Sequence, residues 1–395
     1  MKIYKSGKLL KLLKLAIFFV TLCSLLLFSK TNFNSVKDSV NLFFTNIFPS
    51  LFPFILFTEV ILKTDIILLL TKIFGSLISK IFRINKNSVS SVIIGFLCGY
   101  PMGAKSVSTL YENGNISKKD AAILLSFVNN CNPAFILSTI GIAIFNNITI
   151  GIILLISHLI SAILIGIIYS RKYINSTTNI IHKKMLNCNI PLQKSDNINF
   201  FYIIKKSIFN SLITLGNILG FIIIFNLLSN LIIIILEKIY ISDFVISFLS
   251  GILEITKGCY MLNTLDINIV FKICSISFIL GFSGFCILCQ IYSVIFEQGF
   301  KFLDLLKSKF YHGILSFLIT YIILKFVYPN PQILNVYSNA ENANAEYTYY
   351  INNMKISYLY STFAISIFLL IYYIYIKHIA VKKKGRKAFT LKKGL

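Results

Sequence analysis

The chain has 395 residues, of which 56% are hydrophobic and 13% charged, and its 38 Lys and Arg against 14 Asp and Glu give a net charge of +24. Soluble domains carry about a quarter charged residues, so this composition excludes an ordinary soluble protein. The positive charge sits in tails and loops, with no recognition helix or aromatic platform beside it; this excludes nucleic acid as the partner and fits the excess of Lys and Arg on the cytosolic side of membrane proteins.

Taken in order, the chain predicts an all-α, polytopic integral membrane protein of about eight spans. Lys2, Lys5, Lys8, Lys11 and Lys14 precede an apolar run with no small-x-small cleavage site, so residues 9–29 are expected to be an uncleaved first span entered from the cytosol. Residues 39–62 form a second span kinked by Pro49 and Pro53, each of which frees a backbone carbonyl. Residues 66–84 carry Lys72, Lys80 and Arg83 among Ile and Leu and read as an amphipathic helix at the cytosolic interface. Residues 87–104 are uncharged, short and Gly-rich, which predicts a re-entrant hairpin, followed by a polar loop at 105–120. Residues 121–145 cross with a break at Asn129–Pro133, and 148–170 return; 121–170 contain no Asp, Glu, Lys or Arg.

The second half repeats the theme. Residues 207–236 cross outward, 244–259 form a second Gly-interrupted hairpin, and 267–296 cross back with a break at Gly281-Phe-Ser-Gly284. Residues 311–328 go out, and 357–376 return to a tail with eight Lys or Arg. Pro49-x-x-x-Pro53-Phe-Ile, Gly95-Phe-Leu and Ser126-Phe…Pro133 are matched in the same order by Gly216-x-x-x-Gly220-Phe-Ile, Gly251-Ile-Leu and Ser277-Phe…Gly284. The first unit starts outside and the second inside, which predicts two inverted-topology repeats with interrupted segments at corresponding places.

Those interruptions hold the candidate site. Gly99, Tyr100, Pro101, Gly103 and Lys105 lie on the first hairpin. A cation beside half-helix N-termini suits an anion, since free N–H groups and the helix dipole favour negative charge; Gly99 and Gly103 equally read as a close-packing pair. Ser126, Asn129, Asn130 and Asn132 at the first break, and Ser283 and Gln290 at the second, supply hydroxyl and amide groups for a substrate path or for unwound backbone. Glu254, at membrane depth, is a binding or proton-coupling candidate, with Lys257 three residues on as its structural alternative partner. Glu59 ends a span and is expected at the interface.

Other chemistry is excluded. Gly99–Ser106 lacks the spacing and the preceding strand of a phosphate loop. Cys286-Ile-Leu-Cys289 lies in an apolar segment and reads as buried thiols. His158, His182, His312 and His378 are scattered, without metal spacing. No catalytic constellation is present, so neither an enzyme nor a cofactor or metal is expected.

Pro49-Ser-Leu-Phe-Pro-Phe, Gly99-Tyr-Pro-x-Gly-Ala-Lys105, Leu125-Ser-Phe-x-Asn-Asn-x-x-Pro133, Gly251-x-x-Glu254-Ile-Thr and Gly281-Phe-Ser-Gly284 together resemble the YlbJ (SpoVV) family of sporulation membrane proteins, with nucleoside-recognition gate domains, from about residue 41 to 290. The resemblance implies transport of dipicolinate, a small aromatic dianion, across the outer forespore membrane toward the forespore; the lipid bilayer and other spore membrane proteins are the expected partners, and eight crossings with basic tails place both termini in the cytosol. A nucleoside carrier and a structural protein of spore assembly are the alternatives. The organisation implied is 1–38 tail and first span, 39–170 first gate-like repeat with its return span, 171–206 basic cytosolic loop, 207–296 second gate-like repeat, 297–376 two C-terminal spans with the outside loop 329–357, and 377–395 basic cytosolic tail.

Overall fold

The computed structural model describes residues 28–64, 66–175 and 200–327, all within the compact unit Met1–Asn335. All but the end of the expected first span lies outside them, as do most of the basic loop, the outside loop, the last span and the C-terminal tail. The described residues are helical and contain no strand. Five of their helices are long and apolar enough to cross a membrane: Ser29–Ile61, Ile148–Lys172, Phe200–Lys238, Ile269–Gln298 and Phe302–Val327.

The first of these is α1 (Ser29–Leu42) continued through a π-helical turn (Phe43–Ile47) into α2 (Phe48–Leu62). Proline cannot donate to the helical ladder and crowds the carbonyl four residues back. The chain absorbs Pro49 and Pro53 by widening the turn ahead of them and stays continuous. Next, α3 (Ile66–Phe82) exposes Leu69, Ile73, Leu77 and Ile81 at four-residue spacing. An apolar stripe open on one face is what lipid would cover. The same exposed spacing recurs on α7 (Ile148–Asn175) at Ile148, Ile152, Ile156 and Ile160.

The first hairpin is α4 (Val89–Leu97) and α5 (Met102–Glu112), joined through Cys98–Pro101. The expected loop 105–120 is therefore corrected: most of it is helix, and only 113–117 turn. Its polarity suggested a loop, but Lys, Ser, Thr, Leu and Glu tolerate helical backbone when one face packs, and Ser106, Val107 and Ser108 are buried. Then α6 (Lys118–Phe127), capped by Ser117, stops at the expected break and resumes as a π-helical segment, Phe135–Ile144.

The 39-residue α8 (Phe200–Lys238) runs beside α1 and α2. A second hairpin follows, α9 (Asp243–Leu253) and α10 (Ile255–Thr264), and a second broken helix, α11 (Ile269–Phe282) and α12 (Gly284–Ile295). There the break is two consecutive left-handed residues, Ser283 (φ 71°) and Gly284 (φ 61°). The last described helix, α13 (Phe302–Val327), starts nine residues before the expected 311 and so brings Lys309 and its neighbours into the packed bundle. The order hairpin, broken helix, long helix thus occurs over 89–175 and again over 243–327.

The interior is mainly apolar, with small and hydroxyl residues where helices cross closely, and large apolar side chains also cover the outside. The helices α11 and α13 cross where a Cβ on Gly281 would lie 2.8 Å from the Gly313 Cα. Beside that crossing, Ser277 bonds Ser316 at 2.8 Å and Thr320 at 2.7 Å. Small residues and interhelical hydroxyl bonds replace the hydrophobic effect as the means of association in lipid.

Candidate functional site

Between α5, α8 and α12 lies an open cavity of about 480 Å³, the size of a small-molecule site. Lys105, Asn210, Thr214, Asn217, Gln290 and Ser293 supply its polar lining. Pro101 and Phe221 are among its apolar groups. On α8 the contributors fall at 210, 214, 217 and 221, a 4-3-4 spacing that places them on one helix face. The Oε1 of Gln290 is buried without a hydrogen-bond partner, while its amide nitrogen donates to Cys286 Sγ at 3.4 Å. An unused carbonyl acceptor thus borders the cavity.

The charge at this wall is organised by Glu59. Its side chain is 3% exposed and accepts from Lys105 Nζ at 2.8 Å, from Lys63 Nζ at 2.9 Å and from Asn210 Nδ2 at 3.0 Å. Lys63 also donates to Ser207 Oγ at 3.2 Å. Helix α2 carries the Glu59 carboxylate inward against α5 and α8, where two ammonium groups and an amide compensate its burial. One carboxylate between two lysines leaves the cluster one positive charge in excess. Lys105, 41% exposed, presents that excess to the cavity.

Other predicted residues form the seat of the first hairpin. A Cβ on Gly95 would lie 2.1 Å from Val128 O, and one on Gly103 2.5 Å from the same oxygen. Gly99 has φ 71° and passes so close that a Cβ would meet Asn130 O at 2.5 Å; only glycine fits such a position. Tyr100 N–H donates to Asn130 O at 2.9 Å, and Asn132 Nδ2 donates to Cys98 O at 3.2 Å. Asn129 Nδ2 donates to Leu125 O and Ser126 Oγ to Ile123 O. These glycines and amides hold unwound backbone against the hairpin tip. Both polar atoms of the Asn130 side chain are buried without partners.

The second hairpin is held differently. Glu254 caps α10, accepting from Thr256 N–H at 3.0 Å and Lys257 N–H at 2.8 Å, two of the donors that a helix start leaves free. The Lys257 ammonium turns away to Asn230 Oδ1 on α8. Ser283 is fully buried in the second break. Of the predicted residues, the structure therefore brings Pro101, Lys105 and Gln290 together at the cavity. Gly99, Tyr100, Gly103, Ser126, Asn129, Asn130 and Asn132 gather at the first break, and Glu254 and Ser283 belong to the second hairpin and break. Sequence reasoning missed Glu59 as the partner of Lys105 and missed the α8 face, although the 4-3 spacing of Asn210, Thr214 and Asn217 in an otherwise apolar span was a readable signal. Cys286 and Cys289 are free thiols, and no group of three metal-ligating side chains occurs among the described residues.

The chain is 25% identical over 330 residues to the sporulation integral membrane protein YlbJ of Bacillus subtilis (strain 168), covering 76% of this chain and 79% of that one. No family model matches the chain. No solved structure matches it either.

Proposed function

We propose that the chain is a member of the YlbJ family of sporulation integral membrane proteins, one of which it matches at 25% identity, and that it carries dipicolinate across the outer forespore membrane toward the forespore by alternating access. The observation that carries this reading is the cavity joining α5, α8 and α12. Dipicolinate is a planar aromatic ring with two carboxylates. Lys105, with the excess charge of the Glu59 cluster behind it, supplies a charge-assisted donor for one carboxylate. Asn210, Asn217 and Ser293 supply amide and hydroxyl donors for the other, and Phe221 and Pro101 offer apolar surface to the ring.

In this proposal the full protein has eight spans with both ends cytosolic, and the two hairpin-and-broken-helix units are inverted repeats. The cavity lies between an arm of the first hairpin and a half-helix of the second unit. A relative movement of the units would therefore open it to one side of the membrane and then the other.

The test is uptake into proteoliposomes of purified protein, with dipicolinate and uridine as solutes. Saturable dipicolinate uptake that uridine does not inhibit supports the reading. Uptake of uridine, competing with dipicolinate, replaces it with a nucleoside carrier. A deletion strain with normal dipicolinate and a defective spore envelope replaces it with a scaffold of spore assembly.

A further inference from the structure

Lys309, on α13, is fully buried, and neither of the ion pairs among the described residues involves it. Its ammonium reaches through to the first break and donates to the backbone oxygen of Asn129. On its own helix, His312 Nδ1 lies 3.5 Å away. The rings of His312 and His158 sit 4.6 Å apart, centroid to centroid. Their tautomers follow from their partners. His312 Nε2 faces the carbonyl oxygen of His158 at 3.1 Å and so carries hydrogen, leaving Nδ1 as an acceptor toward Lys309. His158 Nε2 accepts the Cys131 N–H at 3.0 Å, which puts its hydrogen on Nδ1, an atom buried without a partner. Both rings are neutral.

Among the described residues, no carboxylate pairs with Lys309. Cys131 faces the lysine from the break, with Tyr100 beyond it at 3.3 Å from the thiol. His158 faces it from α7 and His312 from α13 itself. The neighbouring α11 offers the hydroxyl of Ser277 to α13, and α12 has no Asp, Glu, Lys or Arg. The charged residues of α6, Lys118, Lys119 and Asp120, lie in its first turn, and Asp120 is held by Ser117. A lone ionisable group at this depth is a functional feature by default. This one is built into the backbone break that seats the first hairpin.

We propose that the first break is a cation site whose resident occupant is the Lys309 ammonium, so that the proton is the ion coupled to transport. The protonated side chain makes a charge-assisted bond to the Asn129 carbonyl and holds the break closed under the hairpin tip. Loss of that proton weakens the bond and lets the break and hairpin separate. An alkali-metal ion would play the corresponding part at unwound carbonyls in a transporter lacking such a lysine. The coupling role rests on the transport reading above; the proton site does not.

The test is hydrogen–deuterium exchange over residues 128–134 of the purified protein from about pH 6 to about pH 9, corrected for intrinsic rates. In the wild type, protection should fall roughly tenfold or more as pH rises, the worth of one charge-assisted bond. Lys309→Arg should stay protected throughout, because arginine keeps its charge. Lys309→Gln should be unprotected throughout; should that variant fail to fold, the wild type and Lys309→Arg still decide. Protection in the wild type that ignores pH, or that follows pH equally in Lys309→Arg, overturns the proposal, as does a wild type stabilised by sodium over choline. In proteoliposomes, a pH gradient should drive accumulation of dipicolinate by the wild type and not by Lys309→Arg. Exchange that steps with pH in a protein that moves no dipicolinate would remove the transport reading and leave the proton site standing.

Discussion

At the scale of single residues, the chemistry of the cavity wall turns on a partnership of Glu59, Lys63, Lys105 and Asn210. Replacing Lys105 with Ala should weaken dipicolinate binding about tenfold or more, the worth of a charge-assisted hydrogen bond, while membrane insertion is unchanged. Calorimetric titration in detergent checks it. Glu59→Gln should act in opposite directions on two readouts. Two ammonium groups lose their carboxylate, so the thermal midpoint falls. The excess charge at the cavity rises from one to two, so the dianion binds more tightly. Equal weakening of both would mean that Glu59 serves structure alone.

At the scale of elements, glycine sorts into two kinds. Gly95 and Gly103 let a hairpin lie directly on backbone oxygen, whereas nothing approaches within 4 Å of the Cβ positions of Gly216 and Gly220. Gly95→Ala should therefore cost about 3 kcal/mol, the upper range for overpacking. Gly216→Ala should be neutral or stabilising by up to about 1 kcal/mol, since alanine is the better helix former. Fluorescence-detected size-exclusion thermal melts of the two variants would separate them. Ser283 offers the converse case. A non-glycine residue held at φ 71° carries roughly 1–2 kcal/mol of left-handed strain, so Ser283→Gly should raise the thermal midpoint, and a lowered midpoint would give the Ser283 hydroxyl a role of its own.

At the scale of the whole molecule, the proposed alternation needs α5 and α12 to separate. The 3-10 turn that follows α12, Phe296–Gln298, meets α5 where Gln298 Nε2 donates to Ser108 Oγ at 2.7 Å, with Glu112 alongside. Cysteines placed at 108 and 298 and joined by a short bismaleimide should abolish dipicolinate uptake, while either cysteine alone leaves it intact. Undiminished uptake by the cross-linked protein would put the moving boundary elsewhere.

The amino-acid sequence by itself determined the class of protein and its interrupted elements. Uncharged runs long enough to cross a bilayer, and Gly, Pro and Asn set inside them, are local features, and the backbone obeys them locally. Both hairpins and both breaks fall where those residues stand. The polar face of α8 was legible in the same way, through the period of Asn210, Thr214 and Asn217. Only the tertiary structure decided which distant groups meet. Glu59 and Lys105 are 46 residues apart, and Lys309 reaches a carbonyl 180 residues away. Periodicity gives the face of a helix but not its neighbour, and a lone charge in an apolar segment reads as an interfacial anchor until its partner is known. The helix ends were also decided by packing: 102–112 and 302–310 look polar in isolation, and burial of one face makes them helix.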